Sequence, residues 1–492
     1  MPIYTRMTTL SAAGLGTASA ASLAVARAAA QAGALPLPMP ASVPQPSTQF
    51  TASAPTPDVV YARPATTPWT PSAAVWAGPA GDALSALMER NSRSSGGGLA
   101  AQWRGVGGAL LAHLAATGTD YQQTRLGRPD PAQPLDAQFR CVADGAATVS
   151  LQVQTRAGQT VDLRIALNPG TAQGAVAGMR VEISSSGALD DAGRAALAAL
   201  SGGLEKVLQG LGAARGPALD MADLLAFDRS VLASVELRVV NPEARAALSS
   251  FSLRLGDGGS ALALQGAEGR MDMRLDAATP LTGNAQQRQA AIAEHLRRID
   301  AAAARGRAGE NLVALFKSAF AQMHGAPAVA PAAAAALPDP VLARAQALVS
   351  GLVDFEAHFD GDAERTNQWG FVNERSHAAY SVEQKTEAGR ADAEGRRSIV
   401  QTQSERLQAR YLRGRNGSAL DTEGGNYDLY QVDDRHSATT TIEAVKNELR
   451  SARRHTDTRQ HLTFQKLVNH RVEERRETPG GQRSVVDLLS ER

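Results

Sequence analysis

The sequence predicts an α+β fold: an antiparallel sheet with packed helices, a polar antiparallel β-rich C-terminal module and a disordered N-terminal arm. Three observations carry that reading. Between Val149 and Leu167, two stretches alternate apolar and polar residues on either side of a glycine turn, the mark of a β-hairpin with one buried face. From Leu197 to Leu211, leucines and a valine recur at helical spacing behind the pair Asp190 and Asp191. Beyond 338, where 23 basic and 25 acidic side chains crowd the chain, the apolar residues still alternate one by one.

Taken in order, residues 1–81 carry four charges, Arg6, Arg27, Asp58 and Arg63, in a background of Ala, Ser, Thr, Gly and Pro. Ten prolines between Pro36 and Pro71 favour extended chain that packs no core. This arm is expected to be disordered and of low complexity. Arg6 and the uncharged run Met7–Ala26 resemble a weak secretory signal, yet the run is too poorly apolar for a membrane span. A Ser/Thr/Ala-rich start would equally suit type III or flagellar-type export. The cytoplasm is the favoured compartment, with export through the arm as the alternative.

Residues 82–136 read as two short helices and a linker. Asp82 is placed to cap the first, and Gly105, Gly107 and Gly108 weaken the second, Leu99–Ala116. The segment 137–276 is the α+β domain. Its hairpin is followed by a strand at Met179–Ile183, and Asp190 and Asp191 suit the start of the long helix. A short helix at Leu219–Phe227 leads to strands around Val235–Val239, Phe251–Leu255, Ala261–Leu264 and Met271–Leu275. Hairpins without βαβ crossovers imply antiparallel pairing.

A helical segment, 277–324, carries Ala290, Ile292, Leu296, Ile299, Leu312, Leu315, Phe316 and Phe320, and residues 325–340 form an Ala/Pro linker. In the module 341–492, Leu407, Ala409 and Tyr411 alternate with polar residues, and Leu462, Phe464, Val468 and Val472 all fall on even positions. Thr439–Ile442 favours strand, and glycines at Gly389, Gly395, Gly414, Gly417, Gly424 and Gly425 separate the runs. A charged helical hairpin is the competing reading; the alternation favours long polar strands. The charges on such ribbons are expected to solubilise them and guard their edges. Arg450, Arg453, Arg454 and Arg459, with Glu448 and Asp457 among them, then form a solvated face.

One stretch resembles a known family. The order hairpin, strand, GALDDAGRAALAALSGGLEKVLQGL, then DMADLLAFDRSVLASVELRV looks like an uncharacterised bacterial domain of unknown function. Its members open a helix on G-x-LD-x-x-E and enter a strand through FD…LASFSL. The matching positions are Gly187, Leu189, Asp190, Phe227, Asp228, Leu232, Ala233 and Ser234, within about Gln138–Val240. Gly193 departs from the acidic pattern, and the second helix is shorter. The resemblance implies an α+β fold and no activity.

Several chemistries are excluded by the letters themselves. Lysine occurs at Lys206, Lys317, Lys385, Lys446 and Lys466, so 45 of the 50 basic residues are arginine, a bias that fits a GC-rich bacterial genome. No lysine follows a glycine, which rules out the phosphate-cradling GxxxxGK[ST] loop. Cys141 is the sole cysteine and excludes an intrachain disulfide, a zinc ribbon and a CxxC pair; at the start of a strand-like stretch it is expected to be a small buried apolar residue. No HExxH or GxSxG occurs, and Gly105–Gly108 only begins a GxGxxG. His455, His461 and His470, with Glu473 and Glu474 nearby, read as surface residues before a metal site. The cluster Asp360, Asp362 and Glu364 starts like a calcium loop but has Arg365 in place of the turn glycine, and so reads as a solvated turn.

The near-balance of charge, net +1, lacks the electrostatic footprint of a nucleic-acid or anionic-membrane binder. The expected function is therefore a non-enzymatic structural or interaction protein of a bacterium. No catalytic, cofactor-binding or metal-binding residue and no cofactor is assigned. The expected partners are an unidentified protein and, through exposed strand edges, a second copy of the chain; neither nucleic acid nor a membrane span is expected. Two alternatives stand beside it. One is a secreted effector or export-apparatus substrate addressed by the arm. The other is a hydrolase working through Glu356, Asp360 and Asp362 near His358 and Trp369, which requires a shared concave pocket.

Overall fold

The computed structural model describes residues 74–490 except 94–97, 146, 171–175, 213–216, 243–246, 280–281, 327–339 and 447, all within one compact unit, Thr70–Arg492. Residues 1–73, which hold most of the expected arm and its export-type start, lie outside the described residues, as does most of the expected linker.

The elements run β1 (Val75–Trp76), α1 (Ala83–Ser92), α2 (Gly98–Trp103), α3 (Val106–Thr117), β2 (Tyr121–Leu126), α4 (Leu135–Ala143), β3 (Ala147–Thr155), β4 (Thr160–Asn168) and β5 (Gly178–Ser185). They continue with α5 (Asp191–Leu211), α6 (Ala222–Leu225), β6 (Leu232–Val240), β7 (Ser250–Gly256), β8 (Gly259–Gly266) and β9 (Gly269–Asp276). The helices α7 (Ala285–Gly306), α8 (Glu310–Gly325) and α9 (Pro340–Gln346) follow. Six strands complete the chain: β10 (Phe355–Thr366), β11 (Val372–Ala388), β12 (Arg396–Arg413), β13 (Tyr427–Val445), β14 (Glu448–Val468) and β15 (Arg471–Asp487). The expected α+β class, with a polar β-rich C-terminal part, is what the structure shows.

Local chemistry sets the helix starts. The Asp82 carboxylate accepts from Ser85 N at 2.8 Å, Asp190 from Gly193 N at 2.7 Å and Asn284 from Gln287 N at 2.9 Å, so each satisfies an otherwise orphaned first-turn amide. The glycines of the second predicted helix do more than weaken it. Gly105 (φ 74) splits it into α2 and α3, and Gly107 and Gly108 bring α3 against α5, where a Cβ on Gly107 would stand 3.0 Å from Leu204.

All strands belong to a single antiparallel sheet in the order β1-β2-β5-β4-β3-β6, and from β6 to β15 each strand pairs with the next. Strand β10 pairs with β9 from Phe355↔Leu275 to Gly361↔Gly269, so the sheet passes without interruption from the segment 137–276 into the charged C-terminal segment. Strands β3, β5, β7, β9 and β11 alternate buried and more exposed positions. Val149, Leu151, Val235, Leu237, Leu253, Met273, Phe359 and Tyr380 point to the face that carries α1–α3 and α5–α9 and are all buried in one continuous core. The opposite face is covered at one corner by α4, whose Val142 packs with Leu126 and Val176. From β6 to β15 no helix lies over it among the described residues.

Arginines from the helix layer hold the polar strands. In α7, Arg298 Nη1 donates to Glu405 at 3.0 Å and Arg305 pairs with Asp434; Arg307, its C-cap, forks Glu374 at 2.8 Å, a carboxylate that Arg365 also reaches at 2.8 Å. These are charge-assisted, partly bidentate bonds between helix and sheet. Beyond α7, the same face continues as a ring ladder: Tyr411 stacks on Tyr430 at 4.6 Å, Tyr430 lies 5.1 Å from Phe464, and Arg476 sits over Phe464.

Four sequence expectations need correction. Cys141 is exposed on α4, because Leu135–Ala143 forms a helix that buries Gln138 and Val142. Asp360, Asp362 and Glu364 are not a turn; they are the outward half of β10, whose inward half is Phe355, Ala357 and Phe359. Val472 does not continue the row of Leu462 and Phe464: it follows the turn at Asn469 and His470 and is exposed on β15. Finally, not all charges of the C-terminal third are solvated, since Glu374 is buried and the Glu405 side chain nearly so.

Candidate functional site

A recess of about 770 Å³ opens at the strand ends where the β7–β8 turn meets the end of β9, the start of β10 and the end of β11. Its walls include Arg254, Ser260, Asp276, Asp354, Glu383 and Thr386. Asp354 Oδ2 accepts from Thr386 N at 2.8 Å, whereas its buried Oδ1 has no partner. Burial pushes the Asp354 carboxyl above the usual range, the bonds from Thr386 pull it back, and the charge of Asp276 adds to the rise.

Around the same strand ends, on the helix side, lies a cavity of about 50 Å³ that shares Gly259, Ser260, Leu275 and Asp276 with the recess. Arg229, Arg288 and His324 line it. The Arg229 ring contact is with Phe227, 4.6 Å away, and its Nη1 donates to Gly256 O at 3.2 Å; Arg288 Nη1 donates to Gly283 O at 3.0 Å. Neither guanidinium meets a carboxylate at ion-pair distance among the described residues. Asp257, the acid whose charge acts on Arg229, is forked by Arg156 at 2.7 and 2.8 Å. His324 is buried between Phe320 (4.3 Å) and Phe355 (4.7 Å), and neither ring nitrogen has a partner. Burial, with a smaller push from His295, lowers its pKa to about 3, so the ring is neutral near pH 7.

A second buried histidine shares the same aromatic neighbours. His295 is buried against Phe320 and Phe355, 3.9 Å from Glu405, and burial lowers its pKa to about 4 against the pull of that carboxylate. Glu405 also raises Tyr380, whose own burial is the larger cause.

The uncovered face of the sheet carries a different kind of site. Arg406, Arg435 and Arg459 are direct cross-strand neighbours on β12, β13 and β14, a like-charge arrangement that costs stability on its own. Asp433 lies 3.7 Å from both Arg406 and Arg435, and Asp457 lies 3.1 Å from both Arg459 and Arg483. Four guanidinium groups thus share two carboxylates; Arg406, Arg435, Arg459 and Asp457 line a recess of about 370 Å³ edged by Ser381, Ser404 and Ser437. The β10–β11 hairpin adds an aromatic tip. Asn367 Oδ1 accepts from the amides of Trp369 and Phe371, both at 3.1 Å, and leaves the two rings 66% and 62% exposed.

The candidate carboxylates fall in a row along β10 instead of around one pocket. Glu356 lines the large strand-end recess and Asp362 a different one, while Asp360 pairs with Arg270 at 3.7 Å; Trp369 is at the hairpin tip. They lack the shared concavity that acid–base catalysis needs. Among the described residues no group of three or more His, Cys, Asp or Glu side chains could hold a metal, and no helix is long and apolar enough to cross a membrane. Arg229, Arg288 and His324 come to one cavity from three distant segments. Only His324 had a local signal: it continues the stripe of Phe316 and Phe320 at four-residue spacing, which marks a core position. No family model matches the chain, and no curated protein or solved structure is similar to it.

Proposed function

We propose that the protein is a non-enzymatic interaction protein whose uncovered sheet face is the docking surface for a protein partner. The observation that carries this reading is the asymmetry of the sheet. One face is packed under helices, and the other presents rows of charged and polar side chains with no layer over them from β6 to β15 among the described residues. Its arginine row is short of carboxylates, so acidic groups of a partner would complete it. The tip aromatics Trp369 and Phe371 are of the type that anchors interfaces.

The arrangement argues for recognition over catalysis. Arginine forks on a rigid strand scaffold orient carboxylates but supply neither nucleophile nor general base at neutral pH. Reversing the row (Arg406→Glu, Arg435→Glu and Arg459→Glu together) tests it in cells of the source organism. The native chain should elute as a complex larger than its own mass, and the variant, with unchanged melting behaviour, as the free chain. Identical elution of both would remove the face from the account.

A further inference from the structure

We propose that the cavity walled by Arg229, Arg288 and His324 is a binding site for a small oxyanion, a phosphate or the carboxylate end of an organic acid. At about 50 Å³ the cavity exceeds the roughly 10–15 Å³ that one water occupies by this measure, yet falls far short of a drug-sized site. It therefore suits an ion or a single functional group.

Two features set the sign of the charge, and a third supplies a hydrogen-bond donor. Arg229 and Arg288 are half-buried and make one backbone bond each, so the remaining guanidinium donors of both are free to take a ligand. A partly desolvated cation without a counter-ion is costly, and an anion between the two forks removes that cost. His324 is fully buried with two unpartnered ring nitrogens, and buried polar atoms in folded proteins are nearly always satisfied. A neutral imidazole offers one N–H to an oxygen acceptor. The acid in the wall, Asp276, already accepts from Ala278 N at 2.8 Å, so the lining holds two cations against one occupied carboxylate.

The cavity shares Gly259, Ser260, Leu275 and Asp276 with the 770 Å³ recess, so the two adjoin along one wall.

The test uses the full chain, with sodium phosphate and sodium succinate as probes and sodium chloride at matched ionic strength as control. Calorimetric titration should show saturable binding of phosphate or succinate, with a matching rise in Tm. Binding of phosphate alone would identify a phosphate site, binding of succinate alone a carboxylate site, and either supports the proposal. Arg229→Gln and Arg288→Gln should each weaken binding roughly tenfold or more. Arg297→Gln, on the exposed side of α7, should leave it unchanged. No binding of either probe to the native chain overturns the proposal, whatever the variants do. So does equal binding by the native chain and by folded Arg288→Gln or its charge-preserving counterpart Arg288→Lys, which keeps the charge and loses the fork.

Discussion

Glu374 shows how a charged residue in a polar strand becomes interior. Its side chain is 3% exposed, held between Arg307 of the helix layer and Arg365 of the neighbouring strand, and the two guanidinium groups keep its carboxyl below the usual range in spite of burial. Replacing one partner of such a pair leaves charge behind. Because both arginines keep partial contact with water, Glu374→Gln should cost about 2 kcal/mol in denaturant unfolding, less than a fully enclosed pair. A cost near zero would mean that the fork adds nothing. His295 and His324 give the pH dependence. With pKa values near 4 and near 3, below the usual 6.5, they stay neutral in the folded protein while the unfolded chain takes up their protons from about pH 6.5 downward. Stability should therefore fall on acidification from pH 6.5 towards 4, by up to about 1.4 kcal/mol per pH unit for each histidine. Asp354 acts in the opposite sense: its raised pKa favours the folded state as pH falls, and that contribution is lost as pH rises through the folded value. Glu374, being lowered, loses its contribution only within the carboxylate range. His295→Leu should flatten the decline between pH 6.5 and 4 by one proton; an unchanged slope would mean that His295 does not carry it.

At the scale of elements, the sequence made the strands legible wherever apolar residues alternate. The stretches 149–167, 235–239 and 407–411 lie in β3–β4, β6 and β12, with the expected side chains turned inward. The acidic run Asp360, Asp362 and Glu364 of β10 masks the parity of Phe355, Ala357 and Phe359, which lie on the other face of the same strand. The same parity would have placed Glu405 beside Leu407, Ala409 and Tyr411 on the helix side. What no local pattern could show is which helix covers which strand, and so that Arg298, Arg305 and Arg307 meet Glu405, Asp434 and Glu374. The joint between β9 and β10 rests on a close approach. Gly269 has φ 141, and a Cβ there would overlap the carbonyl of Asp360 on the paired strand. Gly269→Ala should cost more than about 3 kcal/mol in denaturant unfolding and disturb that joint first. A loss under 1 kcal/mol would contradict the pairing.

On the scale of the whole molecule, the fifteen strands of the one sheet end at β15, whose outer edge pairs with no other strand among the described residues. Leu488 N donates to Ala452 O, so the even residues of β15 between 474 and 488 bond inward and the odd ones face out. Pro479 is one of the outward positions, where its missing N–H interrupts the row that another strand would need. Pro479→Val should restore that row and raise the self-association constant seen by sedimentation; no change would mean that the edge is guarded by charge alone. The sequence announced the strands and their exposed edge, but the order of the sheet depends on pairings between distant segments that leave no local trace. The uncovered face follows from that order, and the proposed docking role rests on it. Photocrosslinking addresses that role most directly: a photoreactive residue at Ser437, on the uncovered face, is compared in cells with one at Ala293, on the outer side of α7. A discrete crosslinked species from Ser437 and none from Ala293 is the predicted result; equal yields from both, or none from Ser437, would contradict it.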